Sequence, residues 1–353
     1  MALIRPSATA RLQLSTLVST SRAASPWEWS VDVHGGGTAA SPSQPRHVLL
    51  FLSGWPDDKR AWTPTAQAVA SDEIMCGVIC MPGYEDVASA RKCIPGGFDI
   101  EDVVTIVEKT AEKLLQHASC SKLTLVLHDW GCYFGSLFFN RRPDLVNGIL
   151  LVDIGLGRSD ASAKKGKVAE TNTKATTDPH LQQTTAGTVR LVFYQLWFAS
   201  AYLLGRYTFA CVGDMFLKTY FALASFLPFV GVQSGTMTSK SAPGMKPMRP
   251  SAEITSYLGY PYWMVWSRIL RGGSPPKPRA PDDLDATPVV FLYGKMKKVF
   301  FHTASFLRDV AHHSPPCKVV GFDCGHWVMD AFPAEVVREV RALLSTLEKR
   351  TKL

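Results

Sequence analysis

The sequence predicts an α/β protein: a mostly parallel central sheet with helices on both faces and a helical cap inserted after the strand that follows the sharp strand-to-helix bend at Asp129. Three observations predict it. Short apolar β-type runs alternate with amphipathic helical patterns over most of the 353 residues, which is how strands buried on both faces and their crossover helices read. The alternation stops after Asp153 and resumes near residue 286, so the stretch between lies outside the sheet. Finally, Leu125-Val126-Leu127 runs straight into His128-Asp129-Trp130-Gly131, a strand feeding a helix through a tight turn with one carboxylate at the bend.

In order, strands are expected over 47–52, 77–81, 123–127, 148–152, 288–292 and 318–322, and helices over 101–117, 130–140, 303–311 and 334–348. Residues 1–26 hold Arg5, Arg11 and Arg22, many small or hydroxyl residues and no acid, the composition of an organellar targeting segment or a plain tail. The core then divides into 27–156 and 286–348, with the cap over 157–285 and a basic tail over 349–353. Within the cap, the polar segment 159–187 is too poor in large apolar residues to pack and is expected to be mobile. The cap's aromatics, Tyr194, Trp197, Phe198, Tyr202, Tyr207, Phe209, Phe216 and Tyr220, read as its own core, with peripheral membrane contact as the competing account. His34-Gly35-Gly36-Gly37 reads as a hairpin turn in an N-terminal meander.

A formal charge of +8 is scattered over Lys164-Lys165, Lys295 to Lys298 and Lys349-Arg350. No aromatic-interleaved basic stripe accompanies it, which argues against nucleic acid as a partner. No apolar run reaches the roughly 18 to 20 residues of a spanning helix, because Arg206, Asp214 and Lys218 interrupt the longest candidate. Eight cysteines without a C-x-x-C pair, several of them (Cys76, Cys80, Cys132, Cys211) inside apolar runs, point to buried thiols and a reducing, intracellular compartment. The cytoplasm is the expected location. Thr351-Lys352-Leu353 resembles a peroxisomal address, and the first 26 residues leave the mitochondrion as a further alternative. His312-His313 has no carboxylate or cysteine close in sequence, so neither a metal nor a cofactor is expected.

The chemistry concentrates at the bend. A carboxylate is ionised at neutral pH and can displace a leaving group at a saturated carbon without prior deprotonation, leaving an alkyl ester. Hydrolysing that ester needs a base, and Gly325-His326-Trp327 supplies one after the last strand. Ser53-Gly54-Trp55-Pro56 follows the first central strand, where the Trp55 amide, with that of Trp130, would form an oxyanion hole. The acid that orients such a histidine commonly follows the penultimate strand, but Tyr293-Gly294-Lys295-Met296-Lys297-Lys298 has none, and no carboxylate occurs between Asp285 and Asp309. Asp153, at the tip of a buried strand, is therefore the expected partner of His326, the alternative being a structural cap for the next turn. His128 is expected to be a structural hydrogen-bonder on the face opposite to Asp129.

From about Trp27 to Leu347, the cap apart, the chain resembles the α/β-hydrolase superfamily, and within it the aspartate-nucleophile branch of epoxide hydrolases, haloalkane dehalogenases and fluoroacetate dehalogenases. Ser53-Gly54-Trp55-Pro56 is similar to the branch's H-G-x-P with Ser in place of His, Met81-Pro82-Gly83-Tyr84 to its P-G-Y-G, and His128-Asp129-Trp130-Gly131 and Gly325-His326-Trp327 to its elbow and base. The resemblance implies an Asp129–His326–Asp153 triad, since in dehalogenases of the branch the acid can follow the strand after the elbow. It also implies a small apolar substrate under the cap. Two departures stand out: Ser53, and the Lys-rich loop where the acid usually sits. The arginines of a fluoroacetate-type site are missing beside the elbow, where the helix reads Trp130-Gly131-Cys132-Tyr133-Phe134. Epoxide opening would need cap tyrosines as acids, here Tyr260 or Tyr262 with Tyr194, whereas halide release would need donors such as Trp130 and Trp55. The expectation is an epoxide-hydrolase-like enzyme, with a haloalkane dehalogenase-like hydrolase or a catalytically silent hydrolase-fold binding protein as alternatives. No oligomeric state is implied.

Overall fold

The structure, a computed structural model, describes residues 10–19, 24–36, 44–156, 184–227, 243–313 and 315–351. Strands β1 (Ala10–Ser19), β2 (Ala24–His34), β3 (His47–Leu52), β4 (Ile74–Ile79), β5 (Leu123–His128), β6 (Val146–Val152), β7 (Val289–Gly294) and β8 (Lys318–Phe322) form one sheet in the order β1-β2-β4-β3-β5-β6-β7-β8. The six expected strands are its parallel part, and β1 and β2 extend it antiparallel beyond β4.

The central strands are mostly apolar because the period-2 pleat divides their side chains between two covered faces. Leu50, Leu52, Leu125, Leu127, Ile149, Leu151 and Phe291 belong to one core. Their alternates Leu49, Phe51, Val126, Leu150, Val152, Val290 and Leu292 belong to the other. Helices α1 (Thr63–Val69), α2 (Val87–Cys93), α3 (Ile100–Ala118) and α4 (Trp130–Arg141) precede the cap. The cap contributes α5 (Thr185–Tyr207), α6 (Ala210–Phe226) and α7 (Tyr260–Leu270), and α8 (Ala304–His312), α9 (Val328–Ala331) and α10 (Pro333–Thr351) complete the fold. The first core takes Val103, Val107 and Leu114 from α3. The second takes Ala66 and Val69 from α1 and Val336, Val340 and Leu343 from α10.

Four expectations need correction. Residues 10–19 are no tail but edge strand β1, paired from Ala10↔Val33 to Ser19↔Ala24. Its Leu12 and Leu14 are half-buried while Arg11, Gln13 and Ser15 are exposed, so one face of the strand finds a core. His34-Gly35-Gly36 turns no hairpin: β2 pairs with β1 and β4, and the two glycines, at φ 74° and 81°, carry the chain past Ser71 toward β3. The 349–353 tail is helical as far as Thr351, where Lys349 and Arg350 suit the C-terminal dipole of α10. Lys352 and Leu353, and residues 157–183 with most of the polar segment, lie outside the described residues, but 185–187 open α5, where the Thr184 hydroxyl accepts from the Gly187 amide at 3.0 Å.

The cap sits on the core through tyrosines. Tyr84, after β4, donates to the Leu258 carbonyl at 2.5 Å, and Tyr257 donates to the Ile94 carbonyl at 2.7 Å. Tyr194, Phe198, Tyr202 and Tyr220 are buried, as expected of a cap core, whereas Tyr207, Phe209 and Cys211 are exposed. Among the described residues no helix is long and apolar enough to cross a membrane.

Candidate active site

Asp129 stands between β5 and α4 at φ 53° and ψ −126°, a conformation that non-glycine residues rarely adopt and that the packed strand and helix on either side impose. Its Oδ2 accepts from the Trp55 amide at 2.6 Å. Gly54 explains how that amide comes so close, because a Cβ there would collide with the Trp130 amide nitrogen and the Asp129 carboxylate. Only glycine lets the β3 loop and the elbow meet. Ser53 is buried and donates to the Asp58 carbonyl at 3.2 Å, so the loop is held from within.

His326 faces Asp129 and Asp153 with opposite ring nitrogens. Its Nε2 lies 3.5 Å from Asp129 Oδ1, and its Nδ1 is hydrogen-bonded to Asp153 Oδ2. Asp153 follows β6 at φ 71° and is fully buried. It also accepts from the Gly294 amide at 3.0 Å and from the Lys297 ammonium at 2.5 Å to each carboxylate oxygen. Burial opposes its charge, but Lys297 and then His326 outweigh burial and hold the carboxyl down at about 2. Burial likewise opposes an imidazolium at His326, and the charge of Asp153 and the hydrogen bonds of Asp129 and Asp153 overcome it, raising the ring to about 9.

His128 is buried and neutral, pushed down to about 3 by burial and by His326. Its Nε2–H donates to the His326 carbonyl at 3.2 Å, so it holds the His326 backbone, the structural role its place on β5 suggests. Asp57, four residues beyond Ser53, accepts from the Arg249 amide at 2.9 Å and from the Trp327 indole at 2.5 Å. Burial raises it to about 6.

Above Asp129 the cap presents two phenols. Tyr262 lies edge-on to Trp130 and Trp55, with ring centroids 5.2 and 6.0 Å away, and to Tyr194 at 5.8 Å. The Tyr194 and Tyr262 hydroxyls are in polar contact, as are Tyr262 and the Trp130 indole. Burial raises both phenols above their ordinary range, and the nearby Asp129 charge adds to it. Tyr260 does not join them. Two helix positions away from Tyr262, it points to the other side of α7 and donates to the Pro82 carbonyl at 3.1 Å. The walls are completed by Phe198 and Phe221, 4.5 and 6.2 Å from the Trp55 ring.

Sequence reading missed Lys297 and Asp57 as neighbours of the site. For Lys297 a signal existed: a lysine in the loop where an acid was sought, opposite an acid that needed a counter-charge. Nothing in the sequence places Asp57 against Trp327 and Arg249. Among the described residues no group of His, Cys, Asp and Glu could hold a metal ion.

A sheet of this order, with Asp129, Asp153 and His326 gathered at its strand ends, is of the hydrolase type. The model of the Alpha/beta hydrolase family matches residues 49–339, and the chain belongs to that family. Among solved structures it is similar to the Cif epoxide hydrolase from Acinetobacter nosocomialis, at 11% identity and a TM-score of 0.52 over 94% of this chain and 89% of that one. It is similar also to the DbeA-M1 loop variant of a haloalkane dehalogenase from Bradyrhizobium elkanii, at 15% identity and a TM-score of 0.51 over 97% and 99%. At such identities the likeness is one of fold. None of the curated proteins compared matches the sequence.

Proposed function

We propose that this hydrolase opens a small apolar epoxide through a covalent ester on Asp129. The observation that carries the reading is the meeting of two buried cap phenols, Tyr194 and Tyr262, beside the Asp129 carboxylate. Epoxide opening needs an acid on the departing ring oxygen, and paired phenols supply it. Asp129 Oδ1 attacks a ring carbon while Trp55 holds Oδ2. The carbon–oxygen bond of the ring breaks, and its oxygen takes a proton from the phenol pair. His326, an imidazolium in the resting site, returns that proton and becomes neutral. It then removes a proton from water, whose hydroxide adds to the Asp129 carboxyl carbon. The Trp55 and Trp130 amides stabilise the oxyanion, and collapse releases the diol, leaving Asp129 a carboxylate and His326 an imidazolium.

A second reading, halide release, has one observation in its favour: the Trp55 indole nitrogen is buried with no hydrogen-bond partner among the described residues. The Trp130 indole, the other donor it needs, is already engaged by Tyr262. A single turnover of a small aryl epoxide in H₂¹⁸O discriminates ester from direct hydrolysis. The ester route puts ¹⁸O into the Asp129 carboxylate and none into the first diol formed; label in the diol rules it out.

A further inference from the structure

The ester route asks two incompatible things of His326. Beside two carboxylates it must be an imidazolium, yet as soon as Asp129 becomes a neutral ester it has to be a free base. Asp153 alone works against the second demand, because a fully buried carboxylate on Nδ1 would keep the ring protonated. The loop after β7 brings a counter-charge to that carboxylate. Lys297, itself buried, puts its ammonium 2.5 Å from both Asp153 oxygens, with the rings of Phe300 and Phe301 at 5.5 and 5.4 Å shielding it from water. The loop is fixed there, because the Gly155 amide donates to the Phe301 carbonyl at 2.9 Å, tying it to the chain just beyond Asp153.

We propose that Lys297 is a positioning residue for the second half of the reaction, binding part of the Asp153 charge so that His326 gives up its proton once Asp129 is esterified. This rests on the ester reading above. Below about pH 6, where Asp57 is protonated, the resting site balances Asp129 and Asp153 against His326 and Lys297. Esterification removes one negative charge, and the surplus positive charge is relieved by deprotonating His326. Among the described residues, His128 from β5 and Asp57 after β3 also face the ring, and Cys324 after β8 lies near Asp153 and Lys297. Burial keeps His128 neutral, raises the Cys324 thiol and raises Asp57 to about 6, so the Asp57 charge joins the balance only above that pH. The cap phenols remain protonated throughout the working range.

The test replaces the ester by a neutral isostere and needs no substrate. In Asp129→Asn, NMR titration of the His326 imidazole is expected to give a value at or below its ordinary 6.5. In Asp129→Asn/Lys297→Met the value is expected to rise by about one unit or more, and Lys297→Arg should restore it. A value well above 6.5 in Asp129→Asn overturns the proposal without any lysine variant, and equal values with and without the lysine overturn it too. Pre-steady-state kinetics give a second readout. Lys297→Met should move the pH midpoint of ester hydrolysis upward by the same amount while ester formation changes less than about threefold. An enzyme that titrates as expected but alkylates with no epoxide would refute the epoxide reaction and leave only the charge coupling of Lys297 to His326 standing.

Discussion

The Trp55 amide donates to Asp129 Oδ2 at 2.6 Å, while Asp129 Oδ1 lies 3.5 Å from His326 Nε2. One oxygen of the carboxylate is therefore held by the Trp55 amide, and in the proposed reaction the other attacks. Asp129→Asn should abolish turnover and ester formation, since an amide is a poor nucleophile. Asn can still accept from the Trp55 amide, so stability should change by no more than about 1 kcal/mol. Chemical denaturation, with intact mass after epoxide treatment, checks both. Wild-type-like activity, with deamidation excluded by peptide mapping, would remove Asp129 from the mechanism.

Asp153 and Lys297 form a buried ion pair, and breaking such a pair strands the remaining charge. Asp153→Asn should cost about 3 kcal/mol. Adding Lys297→Met should recover at least about 1 kcal/mol of that, which denaturant unfolding of the four proteins in the cycle measures. Kinetically, Asp153→Asn should slow ester hydrolysis more than ester formation at every pH, because His326 loses its orienting partner. Additive stabilities would mean that the two side chains do not depend on one another.

Two carboxyls should shape stability against pH with opposite signs. Asp153 titrates at about 2 in the folded protein, below the ordinary 3.8, so its contribution is complete above about pH 4 and is lost as pH falls toward 2. Asp57 titrates at about 6, above 3.8, so its contribution is present below the ordinary value and is lost as pH rises through 6. In urea melts from about pH 3 to 7, Asp57→Asn should flatten the upper part of that range and Asp153→Asn the lower. A variant that leaves the slope of its own region unchanged would contradict its assignment.

Tyr262→Phe should lower the rate of ester formation from an epoxide about 10²-fold or more and leave a haloalkane reaction almost untouched. Tyr260→Phe should spare both and cost about 1 kcal/mol of stability through the lost bond to Pro82. Stopped-flow kinetics on the two variants separates them; a larger kinetic defect in Tyr260→Phe would reverse the assignment of the two faces of α7.

The central strands, the elbow and the strand-end places of Asp129, Asp153 and His326 were legible because apolar runs bounded by turns, and a carboxylate or imidazole at a strand end, are local signals. Asp153 was found by elimination along the β7 loop. What was not legible depends on contacts distant in sequence or on helix phase. Lys297 meets Asp153 across 144 positions, and Asp57 meets Trp327 across 270. Tyr260 and Tyr262 look alike in sequence, and only the seating of α7 against Pro82 and Tyr194 separates them. Strand β1 was hidden by composition: Leu12 and Leu14 alternate with Arg11, Gln13 and Ser15, but arginines and small residues without acids resemble a targeting segment more than an edge strand.

The covalent ester itself is best tested with His326→Gln, which keeps Asp129 and the phenols but has no base for water. After incubation with a panel of small apolar epoxides and haloalkanes, intact-protein mass spectrometry should show one adduct of the epoxide's full mass, and peptide mapping should place it on Asp129. An adduct lacking the halogen and formed only from haloalkanes would favour the second reading. No adduct from either class, or one on a residue other than Asp129, would refute the ester.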